Sequence, residues 1–233
     1  MTIRYLIAVL LMFSLRAGTQ IQAQPTQSEQ SPLALDLSSP ENLKLQMRTL
    51  WTGRAAWSRA YLTAALNDAP DAEVSANRLF TTDEDITRAL AVFYDGNAGR
   101  RVQQALHDQS STLASLTRAA TISAGTIGTS ASDPSNMGQL LQQWYHTRDT
   151  IDSALGGDND HSSDALPDAL EAYLSATMKE LEARVNHDWG GDAQAFDDAR
   201  DTALRVADAM SDRIVAKFRD RFTAGATGTI GLR

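Results

Sequence analysis

The chain has 233 residues and carries 21 basic against 29 acidic side chains, which gives a formal net charge of −8 at pH 7. It contains no cysteine, and this excludes disulfides, iron–sulfur clusters, thiolate metal sites and cysteine nucleophiles. Phosphate neutralisation needs a dense run of Lys and Arg, which the sequence lacks, so the composition argues against a nucleic-acid partner. The same acidity suits an anionic membrane surface poorly.

The N-terminal segment, residues 1–23, has the pattern of a secretory signal peptide. Arg4 supplies a positive start, and the apolar run at residues 5–15 is shorter than the roughly 20 residues that span a bilayer. We expect cleavage after Ala23 and a periplasmic or secreted mature protein without stable membrane insertion. The alternative is an uncleaved anchor that lies in the membrane interface.

A linker and the first long helix follow. Residues 24–38 are rich in Gln, Ser and Pro and are predicted to form a disordered linker. Ser39-Pro40-Glu41 then combines a capping side chain, a proline suited to the first helical position and an acid near the positive helix end. The helix is expected to end near residues 67–68, before Pro70. Its apolar side chains recur at helical spacing: Leu43, Met47, Leu50, Trp51, Trp57, Tyr61, Leu62 and Leu66.

Two short helices and a long one complete the first half of the chain. The short ones are predicted at residues 72–80 and in a segment that extends to about Phe93. Thr82-Asp83-Glu84-Asp85 is interpreted as an acidic N-terminal turn of the second short helix. A turn at 95–97 then precedes a long helix at 98–124.

The second half of the chain begins after a linker rich in Gly, Ser and Thr at residues 125–136. Three long helices are predicted there. They are separated by an acidic loop at 156–163 and by Trp189-Gly190-Gly191, which is interpreted as a helix end. The three helices are expected at 137–155, from 164 to about 188, and at 192–222.

Together these elements predict the fold class. Since no segment has the alternating pattern of a β-strand, we expect an all-α fold, a helical bundle of about five long helices and two short ones. The bundle domain is residues 39–222, built as two halves at 39–124 and 137–222. A flexible tail at 223–233 follows. Helices of about 25 residues are roughly 37 Å long and can run side by side across one domain.

Several short motifs occur in order along the chain. Trp57-Ser58-Arg59 follows Leu50-Trp51 after five intervening residues. Further pieces are Arg78-Leu79-Phe80, Asp85-Ile86, Phe93-Tyr94, Trp144-Tyr145, Asp149, Tyr173-Leu174, Thr177, Arg184-Val185, Asp188-Trp189, Ala207-Asp208 and Ile214-Val215. Over roughly residues 43–218, the set resembles a family of small helical bacterial proteins that carries the pattern L-W-x-x-H-x-x-W-T-R.

The resemblance implies a polar layer in the middle of four helices. The family pattern has histidine at three positions, where this chain has Arg54, Gln109 and Tyr173, and asparagine at a fourth, where it has Thr147. Side chains from facing helices can converge in a bundle core. Arginine cannot bind a cation, and Gln and Tyr are poorer metal ligands than imidazole. We therefore expect neither a metal nor another cofactor in this layer.

Two interpretations of the layer remain open. In the first it binds a small ligand, and the candidate residues are Arg54, Gln109, Thr147, Tyr173, Trp51 and Trp57. In the second it is structural, and Arg54 forms an internal ion pair that holds the helices in register, because a buried arginine needs a partner. The acids considered as that partner are Asp108, Asp149, Asp208 and Asp212.

The sequence assigns no catalytic residue. Nucleophile motifs, phosphate-binding loops and the H-x-x-x-H spacing are missing, and the acidic segment at 158–164 lacks the glycine and glutamate of a calcium loop. We expect an exported, non-enzymatic bundle protein that binds a small ligand through the layer or contacts an envelope protein. The alternatives are a bundle that has lost a metal site and an enzyme that uses the same layer, such as the glycosyltransferase named for some similar chains.

Overall fold

The computed structural model describes residues 36–125, 134–156 and 165–223. These ranges contain seven helices and no strand, which confirms the all-α class predicted from the sequence. The predicted signal peptide, the acidic segment at 158–164 and the tail beyond Thr223 lie outside the described residues. The helices are α1 Pro40–Leu66, α2 Ala72–Leu90, α3 Gly96–Gly125, α4 Pro134–Ala154, α5 Leu166–Val185, α6 Trp189–Lys217 and α7 Arg219–Thr223.

The start of α1 follows the capping pattern of its sequence. The Ser39 hydroxyl accepts a hydrogen bond from the backbone N–H of Asn42 at 3.1 Å, and Pro40 occupies the first helical position. Asp36 accepts from the Asn42 side chain at 2.6 Å, so a residue of the predicted linker also takes part in the cap. The helix ends at Leu66, and a positive φ of 51° at Asp68 then turns the chain toward α2.

A single helix, α2, replaces the two short pieces predicted between residue 72 and Phe93. The expected helix start at 82–85 is wrong, because Asp83 is 2 % exposed in the middle of α2 and has a tertiary partner. An acidic residue ahead of an apolar run often caps a helix, but this carboxylate lies on the same face as Leu79, Ile86 and Leu90.

The second boundary that differs from the prediction is the start of α6. Trp189-Gly190-Gly191 forms the first turn of α6 and is not a helix end. The Asp188 side chain accepts from the Gly191 N–H at 2.9 Å and caps the helix, while His187 adopts a positive φ of 56° that reverses the chain.

The C-terminal end of the bundle also departs from one continuous helix. The helix predicted at 192–222 stops at Lys217, and α7 follows Phe218 as a separate short helix. The Phe218 ring packs edge-on against the Tyr94 ring with 5.2 Å between the ring centroids. The ring centroids of Phe93 and Phe222 are 5.7 Å apart. These aromatic contacts fix α7 against the end of α2.

Consecutive helices run antiparallel. Between α3 and α4, Arg101 bonds Ser153 and Gln109 bonds Thr147, so residue numbers rise along one helix while they fall along the other. The same relation joins α4 to α5, where the Trp144 indole donates to the backbone of Leu174 and Arg148 pairs with Glu171. The helices therefore run alternately up and down.

The last long helix returns to the first. Lys44 near the start of α1 pairs with Asp212 of α6, and Arg59 near the end of α1 pairs with Asp192 at the start of α6. Helix α1 packs between α2 and α6 and also touches α3 and α5, which makes it the central helix of the bundle. The pairs α1–α6 and α3–α4 join the predicted halves.

The core is mainly apolar, and buried polar and charged side chains lie among its apolar residues. Trp51, Trp144 and Tyr173 are among its largest fully buried residues, and Arg54 is enclosed with them. Within the described ranges, we find no helix with the length and apolar content needed to cross a membrane. The candidate functional site is the set of polar residues around Arg54 in this core.

Candidate functional site

Arg54 lies on the inner face of α1, one turn from Trp51, and is 1 % exposed. A buried guanidinium is unfavourable unless its N–H groups find acceptors and its charge finds a counter-charge. All three of its nitrogens do so. Nε forms a 2.7 Å ion pair with Oδ1 of Asp83 on α2, Nη1 donates to the Tyr173 hydroxyl on α5 at 3.1 Å, and Nη2 donates to the Ser110 hydroxyl on α3 at 3.3 Å.

The counter-charge is therefore Asp83, and none of the four acids considered from the sequence takes this role. The structural interpretation was right about an internal ion pair and wrong about the acid. Each of the four has another contact, because its position faces a different neighbour: Asp108 with Gln104, Asp149 with Arg148, Asp208 with Arg48 and Asp212 with Lys44.

Ser110 completes a closed triangle with the ion pair. Its hydroxyl donates to Oδ2 of Asp83 at 2.5 Å while it accepts from Arg54. Both carboxylate oxygens of Asp83 are thereby occupied, one by the guanidinium and one by the serine. Burial raises the pKa of Asp83, although Arg54 and Ser110 oppose that rise.

The protonation of Arg54 is secured by the same contacts. Burial acts to lower the pKa of Arg54, but the attraction of Asp83 and Tyr173 outweighs it and raises that pKa above its ordinary value. The guanidinium also lies near two aromatic rings. Its Cζ is 5.9 Å from the centroid of Trp51 and 5.7 Å from that of Tyr173, distances at which a cation is attracted to an aromatic ring. The two rings meet edge to face at 5.7 Å.

Gln109 and Thr147 form the second part of the layer. The Gln109 amide donates to the Thr147 hydroxyl at 2.8 Å, and this hydroxyl donates to the backbone carbonyl of Trp144 at 2.7 Å. Gln109 precedes Ser110 on α3, so this second pair lies at the same level of the bundle as the Arg54 network and joins α3 to α4. The four positions implied by the resemblance are thus all buried, and they form two hydrogen-bonded pairs, Arg54 with Tyr173 and Gln109 with Thr147.

Trp57 is the candidate residue that stands apart from this layer. It is half-buried, and the Cζ of Arg78 on α2 lies 5.3 Å from its ring centroid. The ring contacts of Arg54 are instead with Trp51 and Tyr173. Each three-residue step along a helix falls 60° short of a full turn, so Trp51, Arg54 and Trp57 drift around α1 rather than sharing one face.

Two buried polar atoms of the layer have no hydrogen-bond partner among the described residues. They are the indole nitrogen of Trp51 and the amide oxygen of Gln109. One is a donor and the other an acceptor. Buried groups of this kind are normally satisfied, so each of the two atoms is an open hydrogen-bonding position in the layer.

Asp83 and Ser110 are the members that sequence reasoning missed, although a signal for both was present. Asp83 falls into the buried spacing of α2, which continues through Ile86 and Leu90. Ser110 falls between Leu106 and Leu113, both buried on α3. A polar residue at a core position of a helix needs a polar partner, and this rule would have drawn attention to the two together.

The donor set does not fit a metal ion. At the three positions where the resembling family has histidine, the layer holds a cation, an amide and a phenol. Within residues 36–125, 134–156 and 165–223, no group of three or more His, Cys, Asp or Glu side chains could hold a metal. No family model, curated protein or solved structure matches the chain. The resemblance to the histidine-bearing family stays a prediction.

Proposed function

We propose that the protein is an exported, non-enzymatic helical-bundle protein in which the buried polar layer fixes the relative positions of the helices. The observation that supports this is the coordination of Arg54, which donates to groups on α2, α3 and α5 from three nitrogens. Sliding any of these helices by one turn, about 5.4 Å, would break a bond to the guanidinium. A buried polar group used in this way specifies helix register.

The burial of the polar layer away from solvent favours a non-enzymatic role. Arg54, Gln109, Thr147 and Tyr173 are at most 3 % exposed. A catalytic group has to come within hydrogen-bond distance of its substrate, and binding sites are usually concave surfaces that a ligand can enter. The polar groups of this layer instead bond one another across the core.

Export is proposed from the sequence of residues 1–23. The positive start, the short apolar run and the polar region that ends at Ala23 are those of a cleaved signal peptide. N-terminal sequencing of the protein from fractionated cells tests this proposal. We expect a mature chain that begins at Gln24 in the periplasmic or extracellular fraction, whereas an intact Met1 in the cytoplasmic fraction would contradict export.

A second candidate function is the binding of a small polar ligand within the layer. It is favoured by the unpaired Trp51 indole N–H and Gln109 amide oxygen. A ligand that carries a hydrogen-bond acceptor for the indole and a donor for the amide oxygen would satisfy both groups. Such a ligand would have to be enclosed during folding or enter by a local opening of the bundle.

Native mass spectrometry of the mature protein, purified from its own compartment and combined with elemental analysis, distinguishes the two candidates. A register role predicts the mass of the polypeptide alone. Ligand binding predicts an added mass that is lost in Trp51→Phe, which removes the indole N–H, and kept in the matched variant Trp57→Phe. A stoichiometric metal would contradict both candidates and favour the metal-binding alternative.

A further inference from the structure

A second cluster of buried charges lies where α5 turns into α6, and it also involves α1. Arg59 of α1, Glu180 and Arg184 of α5, and Asp192 of α6 form this rim cluster. Arg59 Nη1 contacts Oε1 of Glu180 at 2.8 Å, Arg59 Nη2 contacts Oδ2 of Asp192 at 3.0 Å, and Arg184 Nε contacts Oδ1 of Asp192 at 2.9 Å. The cluster joins three helices through two cations and two carboxylates.

The two carboxylates of the rim cluster have unequal contacts with the arginines. Both terminal nitrogens of Arg59 donate to Asp192, and Arg184 Nε lies within ion-pair distance of it without making a hydrogen bond. Asp192 also lies in the first turn of α6, where the helix dipole favours negative charge. Glu180 receives Nη1 of Arg59, and this nitrogen also lies 3.2 Å from Oδ1 of Asp192. The Glu180 carboxylate therefore shares its donor with a competitor that has a second arginine of its own.

Glu180 is also the more deeply buried of the two acids. It is 1 % exposed, while the side chain of Arg59 is 26 % exposed and retains contact with solvent. The charged groups that face Glu180 are Arg59 from α1, Arg184 from its own helix and Asp192 from α6. Burial raises the pKa of Glu180 to about 7, with Arg59 acting against the rise and Asp192 adding to it.

We propose that Glu180 is a proton-operated clamp between the α5–α6 turn and α1. When Glu180 carries a proton, it is neutral and does not compete with Asp192 for the positive charge of the two arginines. The α5–α6 turn is then held firmly against Arg59. When the proton is lost, a second buried negative charge competes for Nη1 of Arg59, and the attachment of the turn weakens. The clamp rests on the geometry of the rim cluster and does not depend on the proposed function.

The sign of the pH effect follows from the two states of Glu180. In the unfolded chain the carboxyl group has the ordinary glutamate pKa of 4.5, whereas in the folded protein its pKa is about 7. Between these values the folded protein keeps a proton that the unfolded chain has lost. The stabilisation is complete below the lower value and is lost as the pH rises toward 7.

The test compares unfolding of the full chain at pH values from 4.5 to 8 in three proteins. Glu180→Gln mimics the protonated side chain, and Glu182→Gln is the matched control because Glu182 is exposed on the same helix. The unfolding equilibrium constant of the wild type should rise across this range by on the order of 10²-fold relative to Glu180→Gln. The Glu182→Gln profile should follow the wild type. Parallel profiles for wild type and Glu180→Gln would overturn the proposal.

Two further measurements locate the effect and do not depend on the variant folding. Carbon-13 NMR of the wild-type side-chain carboxyl groups should show Glu180 titrating near pH 7, and a midpoint near 4.5 would contradict the clamp. Hydrogen exchange, expressed relative to intrinsic rates, should show protection of the Asp188 and Asp192 amides falling between pH 5 and 8. Unchanged protection at both amides would also overturn the proposal, because it would place any pH effect elsewhere.

Discussion

Two arginines five residues apart on α1 show two ways of burying a positive charge. Arg54 lies in the middle of the bundle, 1 % exposed, with one carboxylate and two hydroxyl groups around it. Arg59 lies at the rim, where two carboxylates compete for it and its side chain is 26 % exposed. The mid-bundle network assigns a separate donor to each oxygen of Asp83, whereas the rim cluster makes Glu180 share one.

The comparison shows that neutral hydrogen-bond partners can satisfy a buried ion pair without adding charge. Tyr173 and Ser110 satisfy the remaining nitrogens of Arg54 without adding charge, so the network needs a single acid. At the rim, a second carboxylate takes the place of such a hydroxyl, and the pKa of Glu180 moves to about 7 as a result of its burial. We therefore interpret the first network as a fixed element of the fold and the second as an element that responds to pH.

The largest effect is expected for Arg54→Met. The substitution leaves the Asp83 carboxylate buried without its counter-ion, which should cost about 3–5 kcal/mol in the free energy of unfolding. Chemical denaturation at pH 7 measures this loss. The matched control is Arg48→Met, since Arg48 is on the same helix and pairs with Asp208 at the surface, and it should change the midpoint little. An unchanged midpoint in Arg54→Met would remove the basis for a structural layer.

A smaller loss is expected for Tyr173→Phe. The change removes the hydroxyl that accepts from Nη1 of Arg54 and leaves the ring in place, so the cost should be about 1.5–3 kcal/mol, typical of a hydrogen bond to a charged group. Tyr145→Phe is the control, because the Tyr145 hydroxyl has a long 3.5 Å contact with Ser175. Equal losses in the two variants would show that Arg54 does not depend on Tyr173.

The smallest effect is expected for Arg59→Met, and it should depend on pH. At pH 5 Glu180 carries a proton, so the variant loses the contact of Arg59 with Asp192 but no contact with an ionised Glu180, and the loss should be smaller than at pH 8. At pH 8 wild-type Glu180 is ionised and accepts from Arg59, so the variant also removes the cation that donates to this carboxylate, and the loss should reach about 1–2 kcal/mol. Thermal unfolding at the two pH values measures the difference. A loss at pH 5 as large as that at pH 8 would contradict the distinction between the two clusters.

Helical spacing of the apolar residues predicts the all-α class, and the resemblance to the histidine-bearing pattern implies the inward positions of Arg54, Gln109, Thr147 and Tyr173, which are buried. The sequence does not predict the partner of Arg54, since an ion pair between α1 and α2 depends on how the two helices rotate toward each other. Asp83 was interpreted locally as a helix start, although its spacing from Ile86 places it in the core.

At two other positions, the structure also differs from what the neighbouring residues in the sequence indicate. Trp57 shares a motif with Trp51 and Arg54, but the drift of three-residue steps turns it toward Arg78. The glycines at 190–191 suggested a helix end, yet the Asp188 cap makes them the start of α6. In each case a tertiary partner or a single capping bond decided the outcome, and neither is visible in residue spacing.

The most direct measurement is a double-mutant cycle between Arg54 and Asp83. It uses the unfolding free energies of the wild type, Arg54→Met, Asp83→Leu and the double variant, measured in one buffer at pH 7. Each single change strands a buried charge, whereas the double change replaces the pair by apolar side chains, so the double variant should regain at least about 2 kcal/mol relative to the sum of the single losses. Strictly additive losses would show that Arg54 and Asp83 do not act as a pair and that the layer does not fix the bundle.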